Sequence, residues 1–196
     1  NAAKTPTFTD AETATITGSP GIPGIPPFIP PTPGTADLAM SIGVSGLGMP
    51  SIQNGSITSV CIGSLNMTAF GGIEIFEIWL VCPSGDSILL VPDSTISGTS
   101  LSNTCFVPAG AAITSGTSPY TGNYSPNEPF GNLAGCSPNG QWTLHLHAVY
   151  YAFTLPIGTF NSWSITFNDP EISYTGNFTW SPTVNMTGSN TLTPTV

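Results

Sequence analysis

The chain has 196 residues, of which 6% are charged, and its single basic residue, Lys4, leaves a formal net charge of −9. Contacts to a phosphate backbone depend on lysine and arginine, so this composition argues against nucleic acid and anionic lipid as partners. No run approaches the roughly 20 apolar residues of a membrane helix, so no membrane insertion is expected. The 22 glycines, 20 prolines and many hydroxyl residues indicate an extracellular all-β protein with abundant turns.

Residues 1–36 are predicted to form an extended arm that leads into a linker rich in proline and glycine. The first 17 residues lack strong periodicity and predict either a loose arm or one edge strand, at Ala14–Thr17. Closely spaced prolines follow in residues 19–34. Proline has no N–H and fixes φ near the polyproline II value, so this segment is expected to be a semi-rigid spacer.

Alternating apolar and polar residues, the pattern of a half-buried strand, dominate residues 37–168. Including the possible edge strand, the predicted strands are residues 14–17, 37–44, 56–62, 65–70, 73–81, 87–91, 142–148 and 158–167. Residues 92–118 are predicted to be a long polar excursion, and a loop is expected from residue 120 to 130. No segment shows a sustained helical period. This pattern favours an all-β, jelly-roll-like β-sandwich over residues 37–168.

The last segment, residues 169–196, changes character again. Short alternating pieces at residues 172–183 and 191–196 look like parts of a further β module. We therefore expect a linker here, followed by the start of another domain.

Four cysteines, Cys61, Cys82, Cys105 and Cys136, form an even set that predicts two disulfides in a chain of this composition. Residues 71–72, Gly-Gly, are a two-residue hairpin signal. A regular hairpin there would place Cys61 directly opposite Cys82, at a separation that a disulfide spans. Cys105 and Cys136 would then pair by elimination. A bulge in the hairpin would shift this register.

Motifs for catalysis are missing from the sequence. It contains neither Gly-x-Ser-x-Gly nor a Ser/His/Asp motif, and Glu74 and Glu77 would lie on opposite faces of a regular strand. We therefore expect no catalytic residues and no enzymatic activity. His145 and His147 share one strand face, a spacing that suits a metal ion if other strands add ligands. Two exposed strand histidines are the simpler interpretation of this pair.

Aromatic residues near the end of the long alternating strand suggest a sugar-binding platform. Tyr150, Tyr151 and Phe153 would lie on a loop, where aromatic faces suit the apolar faces of sugars. The simpler interpretation is that these side chains cap the core or a domain interface.

Several motifs, taken in order, resemble the P domain (homo B domain) of subtilisin-like proprotein convertases. They are Pro83-Ser-Gly-Asp86 with Ile88-Leu-Leu90, Pro119-Tyr-Thr-Gly-Asn-Tyr-Ser-Pro126, Pro138-Asn-Gly-Gln-Trp-Thr-Leu144 and Gly158-Thr-Phe-Asn-Ser-Trp-Ser-Ile-Thr-Phe167. The resemblance covers residues 37–168 and implies a jelly-roll β-sandwich. The cysteine positions are similar to those of P-type modules in large secreted surface proteins of Bacteroidetes. These include gliding-associated adhesin-like proteins exported by the type IX secretion system.

The C-terminal segment adds a second resemblance. Phe178-Thr-Trp-Ser-Pro182 and Pro194-Thr-Val196 are similar to the start of Ig/PKD-like repeats in such proteins. Together the resemblances imply a non-catalytic structural or adhesive module of a large secreted bacterial cell-surface protein. Its expected partners are neighbouring β domains of the same polypeptide, surface polysaccharide and the secretion machinery. The alternatives are an accessory P domain of a subtilisin-like protease and a carbohydrate-binding jelly-roll module.

P domains can carry structural calcium, and the resemblance directs attention to acids near the predicted 73–81 strand. Where the family often has Asp-Leu-Asp, this chain has Ile75-Phe-Glu77, and Ala148 stands where the family has a further aspartate. Glu77, Asp86 and Asp93 are therefore the candidate calcium ligands, since calcium takes six to eight oxygen ligands.

Two short motifs resemble the acceptor pattern of protein O-glycosylation in Bacteroidetes. They are Asp86-Ser-Ile88 and Asp93-Ser-Thr95, which make Ser87 and Ser94 the candidate glycan acceptors.

Overall fold

The computed structural model describes residues 7–10, 14–17, 34–67, 72–150 and 157–169, which form ten β-strands and two short 3-10 helices. The strands are β1 Thr7–Asp10, β2 Ala14–Thr17, β3 Gly34–Val44, β4 Ile57–Met67, β5 Phe76–Val81, β6 Ser87–Val91, β7 Ser100–Ala111, β8 Tyr120–Tyr124, β9 Gly140–Tyr150 and β10 Ile157–Phe167. The 3-10 helices are Ile113–Ser115 and Phe130–Leu133. In this described part, no helix is long and apolar enough to cross a bilayer.

The strands form two sheets, which confirms the predicted all-β sandwich. The first sheet has the order β1-β10-β4-β7-β8, with β2 also paired to β10, and the second has the order β3-β9-β5-β6. The β7–β8 pair is parallel, whereas the other pairs of described strands are antiparallel. Between β3 and β10, five of the seven connections pass from one sheet to the other. Winding of this kind is typical of jelly rolls.

A single apolar core lies between the sheets, and tryptophans anchor it. Trp142 of β9 and Phe167 of β10 meet edge to face across the core, with ring centroids 5.5 Å apart. The indole N–H of Trp142 donates to the carbonyl of Pro138 at 2.9 Å, so this buried polar group is satisfied. Trp163 is also buried, on the β10 side. Both tryptophans are therefore core residues.

β7 and β8 occupy regions that were predicted to be a polar excursion and a loop. The predicted absence of strands there is wrong. In the 12 residues of β7, the buried positions are Leu101, Thr104 and Phe106, so the apolar signal is sparse. The buried hydroxyl of Thr104 donates to the carbonyl of Tyr120 at 2.6 Å, which ties β7 to β8 through a polar contact.

In the first sheet, three neighbouring strands break the two-residue alternation at the same height. On each strand, two successive inward residues are three positions apart instead of two. These pairs are Ile62 and Leu65 in β4, Leu101 and Thr104 in β7, and Phe160 and Trp163 in β10. Because all three strands contain the break, the cross-strand register is the same above and below it. Phe160 is therefore buried together with Trp163, although the two side chains would lie on opposite faces of a regular strand.

Gly63 and Asn103 accommodate this break in the alternation. A Cβ atom on Gly63 would collide with the hydroxyl of Ser162 on β10, so a larger residue here would force that side chain to move. Asn103 has a φ of +48°, in the left-handed region that asparagine enters more readily than most residues.

The predicted Gly-Gly hairpin is wrong, because β4 and β5 lie in different sheets. Cys61 instead faces Cys105 in the β4–β7 ladder and is bonded to it, with the Cα atoms 4.0 Å apart. Cys82 is bonded to Cys136, with the Cα atoms 6.3 Å apart. All four cysteines form disulfides, as predicted, but both predicted pairings are replaced.

The terminal strands extend the fold beyond its predicted limits. β2 coincides with the edge strand predicted at Ala14–Thr17, and both β1 and β2 pair with β10. β3 begins at Gly34. After β10, the buried carboxylate of Asp169 accepts hydrogen bonds from the N–H groups of Gly48 and Met49. The predictions for residues 18–33 and 170–196 lie outside the described residues.

We expect Gly63→Ala to lower the free energy of unfolding by about 1–3 kcal/mol, because the new methyl group overpacks the contact with Ser162. Gly43→Ala is the matched control. Gly43 is exposed on β3, and its Cβ would make only ordinary contacts with Gln141. Urea unfolding followed by tryptophan fluorescence measures both variants. Adding Ser162→Ala to Gly63→Ala should recover most of the loss, and no recovery would contradict the proposed collision.

Digestion of the unreduced protein should release peptides that contain the pairs Cys61–Cys105 and Cys82–Cys136, and no free thiol should be detected. A protease that cleaves after aromatic residues and leucine separates the four cysteines, and mass spectrometry identifies the linked peptides. A linked peptide joining Cys61 to Cys82 would contradict the structure.

Candidate functional site on the four-stranded sheet

The outer face of the second sheet displays polar and aromatic side chains. On β9, Trp142, Leu144 and Leu146 point into the core and are fully buried, so Thr143, His145 and His147 point outward. These are the two faces that the sequence predicts for this strand. The polar face lies in the middle of the sheet, because β9 pairs with β3 on one side and β5 on the other.

Strand register brings acidic and aromatic residues beside the histidines. His147 lies opposite Glu77 on β5 and opposite Asp37 on β3. His145 lies opposite Trp79 on β5. Directly opposed residues in an antiparallel sheet have Cβ atoms about 4.5–5.5 Å apart, so the side chains of His147 and Glu77, and those of His145 and Trp79, can share contacts.

Two measured contacts define the geometry of this region. The rings of His145 and His147 have centroids 6.1 Å apart and planes tilted by 48°. The indole N–H of Trp79 donates to Glu77 Oε2 at 3.1 Å. Residues 77 and 79 share one strand face, so this bond directs the indole along the strand and fixes one carboxylate oxygen. All four side chains are half-buried. We call His145, His147, Glu77 and Trp79 the outer-face cluster.

The row beside the cluster continues the polar face. Ser41 on β3 and Thr143 on β9 are opposed, and their hydroxyl groups are 2.8 Å apart in a hydrogen bond. Cross-strand hydroxyl pairs of this kind add modest stability to a sheet. The polar face therefore extends beyond the outer-face cluster, across β9 and β3.

The candidate calcium ligands occupy different parts of the second sheet. Glu77 lies in β5, Asp86 is exposed in the β5–β6 turn, and Asp93 is exposed in the turn after β6. They are not gathered as a set of metal ligands. In the part of the chain that is described, the group of metal-ligating residues with ligand atoms within 4.8 Å is Cys82, Asp86 and Cys136. The two sulfurs in that group form a disulfide, so no thiolate is available. Structural calcium stays a prediction.

Both candidate glycan acceptors are exposed. Ser87 is the first residue of β6, and Ser94 lies in the following turn with a φ of +55°. The backbone N–H of Ser94 donates to the carbonyl of Glu74 at 2.7 Å. Glu74 itself lies in a turn before β5, so its predicted strand position is wrong. Glycosylation at the two serines stays a prediction.

The predicted aromatic platform lies at the limit of the described residues. Tyr150 is the last residue of β9, and Tyr151 and Phe153 lie outside the described residues. Trp79, which carries the aromatic surface of the outer face, was not singled out in the sequence. Its alternation with Glu77 on β5 was the available signal.

No family model matches the chain, and no curated protein matches it. The residues and their geometry therefore carry the functional argument.

We expect N-bromosuccinimide at low molar excess to oxidise Trp79 before Trp142 and Trp163. Trp79 is half-buried on the outer face, whereas Trp142 and Trp163 are 0% and 1% exposed. Peptide mass spectrometry of the native protein gives the order of modification, and urea-unfolded protein serves as the control in which the difference should vanish. Oxidation of Trp142 ahead of Trp79 would contradict the exposure of this face.

Proposed function

We propose that this chain is a non-catalytic structural or adhesive module of a large secreted cell-surface protein. The observation that carries this proposal is the overlap of its two disulfides, Cys61–Cys105 and Cys82–Cys136. Cys82 lies within the loop closed by Cys61–Cys105, and Cys105 lies within the loop closed by Cys82–Cys136. Together the two disulfides therefore restrain the whole stretch from Cys61 to Cys136. Disulfides form and persist in oxidising compartments, which agrees with a position outside the cytoplasm.

Each sheet is cross-linked by one of the disulfides. Cys61–Cys105 joins β4 to β7 within the first sheet. Cys82 follows β5 and Cys136 precedes β9, so the second disulfide ties two strands of the second sheet near one end. A module with both sheets restrained is suited to a position in a chain that is pulled from its two ends.

The disulfides also shorten the stretch of chain that force can extend. Cys61 and Cys136 are 75 positions apart, whereas Cys82 and Cys105 are 23 apart. A pulled chain passes from Cys61 through its disulfide to Cys105, back to Cys82, and through the second disulfide to Cys136. The extension of 52 residues is thereby prevented, which is the difference between the two separations.

The resemblance to P domains supports the same proposal. It implies a β-sandwich, and it associates this cysteine pattern with secreted, gliding-associated adhesin-like proteins of Bacteroidetes and type IX secretion. We propose neighbouring β domains of the same polypeptide as partners. The outer face of the second sheet would serve for adhesion, including contact with surface polysaccharide.

Single-molecule force spectroscopy tests the structural role. Reduction should lengthen the contour released on unfolding by about 180 Å, since each of the 52 shielded residues extends by roughly 3.5 Å. A cysteine-free reference domain in the same polyprotein should release equal lengths with and without reductant. Equal lengths for this module in both conditions would show that the disulfides carry no load and would contradict the proposal.

A further inference from the structure

We propose that Asn54 is a self-modification site, at which the side chain cyclises onto the main chain and is converted to aspartate or isoaspartate. This site goes beyond the structural role proposed above and does not depend on it. The chain contains two Asn-Gly dipeptides, Asn54-Gly55 and Asn139-Gly140. In sequence the two are equivalent, because glycine has no Cβ and leaves the backbone nitrogen that follows asparagine open to attack. Their structural settings differ.

The reaction needs water and no other reagent. The backbone nitrogen of Gly55 attacks Cγ of Asn54 and loses its proton, while the bond from Cγ to the side-chain nitrogen breaks and ammonia leaves. The product is a succinimide ring shared by the two residues. Water then adds to a ring carbonyl and a ring C–N bond breaks. Opening at the side-chain carbonyl gives aspartate, and opening at the main-chain carbonyl gives isoaspartate.

The groups that react at Asn54 are exposed and are not held in place. Asn54 and Gly55 lie in a turn that is closed by a hydrogen bond from the N–H of Ser56 to the carbonyl of Gln53 at 3.0 Å. In the described part of the chain, neither the carboxamide of Asn54 nor the N–H of Gly55 forms a hydrogen bond. Gly55 has a φ of +85°, and the position of a Cβ on it is surrounded by open space. Cyclisation therefore breaks no hydrogen bond of the reacting groups.

Asn139 is held away from the same reaction by the main chain of Leu47. Its Nδ2 donates to the carbonyl of Leu47, and its Oδ1 accepts from the N–H of Leu47, each at 3.0 Å. Both bonds must break before Cγ can reach the nitrogen of Gly140. Leu47 is buried, so its two polar groups would then lose their partner away from bulk water. The net free energy of two such bonds corresponds to a reaction slower by about tenfold or more.

The turn is anchored on both sides, which confines the effect of the modification. The N–H of Ile52 donates to the carbonyl of Cys136 at 2.9 Å, and the carbonyl of Ser56 accepts from the N–H of Asn168 at 2.8 Å. Isoaspartate adds a methylene group to the main chain between these anchors, so the added length must project into solvent. Either product also adds a negative charge to a chain whose net charge is already −9.

Incubation of the native full chain in mildly alkaline buffer tests the proposal. After reduction, a protease that cleaves after aromatic residues and leucine places Asn54 and Asn139 in separate peptides. Mass spectrometry follows the mass gain of aspartate over asparagine in each peptide, and labelling by an isoaspartate methyltransferase identifies isoaspartate. We expect conversion at Asn54 to be faster than at Asn139 by about tenfold or more.

Two controls separate the structural effect from the intrinsic chemistry. In chain unfolded with guanidinium chloride, the difference between the two positions should largely vanish, because the bonds to Leu47 are lost. Asn54→Gln keeps a carboxamide in the turn, but its longer side chain forms the larger ring much more slowly, so position 54 should stay unconverted over the same interval.

Two results would overturn the proposal. One is equal conversion at Asn54 and Asn139 in the native chain. The other is no conversion at Asn54 in the native chain although the unfolded chain converts there, which would show that the folded turn blocks the reaction. Selective conversion at Asn54, absent from the Asn54→Gln variant, supports the assignment.

Discussion

Unbroken pairing of β9 with both of its neighbours is the interaction on which the core and the outer face depend. Eleven consecutive residues of β9 pair with β3 without a shift, and β5 pairs with the other side. Because this register is regular, successive residues of β9 point to opposite faces of the sheet. Trp142, Leu144 and Leu146 form the centre of the core, while the intervening histidines reach the outer face. A slip of β9 by one position would turn its apolar residues toward solvent and its histidines toward the core.

The two sheets differ in how regularly their strands alternate between inward and outward residues. The second sheet keeps its alternation along β9 and presents the polar outer-face cluster. The first sheet interrupts its alternation at a row that crosses β4, β7 and β10, and a disulfide joins β4 to β7 beside that row. The regular sheet therefore presents a polar outer face, whereas the interrupted sheet adapts its backbone to the packing of the core.

Local sequence patterns were sufficient to predict strands with a dense apolar pattern. They were insufficient to predict which strands pair with one another. β3 and β9 could be predicted because apolar residues recur at every second position, and β6 because four apolar residues follow one another. β7 could not, since Thr104 fills an inward position with a polar side chain and Asn103 interrupts the period. The disulfide partners depended on which strands become neighbours, which the spacing around Gly72 did not reveal. For the same reason, the histidine pair was visible in the sequence, but its position opposite Glu77 required the register between β5 and β9.

The interrupted row in the first sheet also restricts how this fold can change in length. Deleting one residue from β4 at the row would restore regular alternation in that strand alone. Leu65 and Met67 would stay on the same face as Ile62, but the pairing of β4 with β7 and β10 beyond the row would be one residue out of register. The ladders stay free of a new bulge only if β7 and β10 lose a residue at the same height. Insertions and deletions at this row therefore preserve the pairing when they occur together in three segments that are distant along the chain.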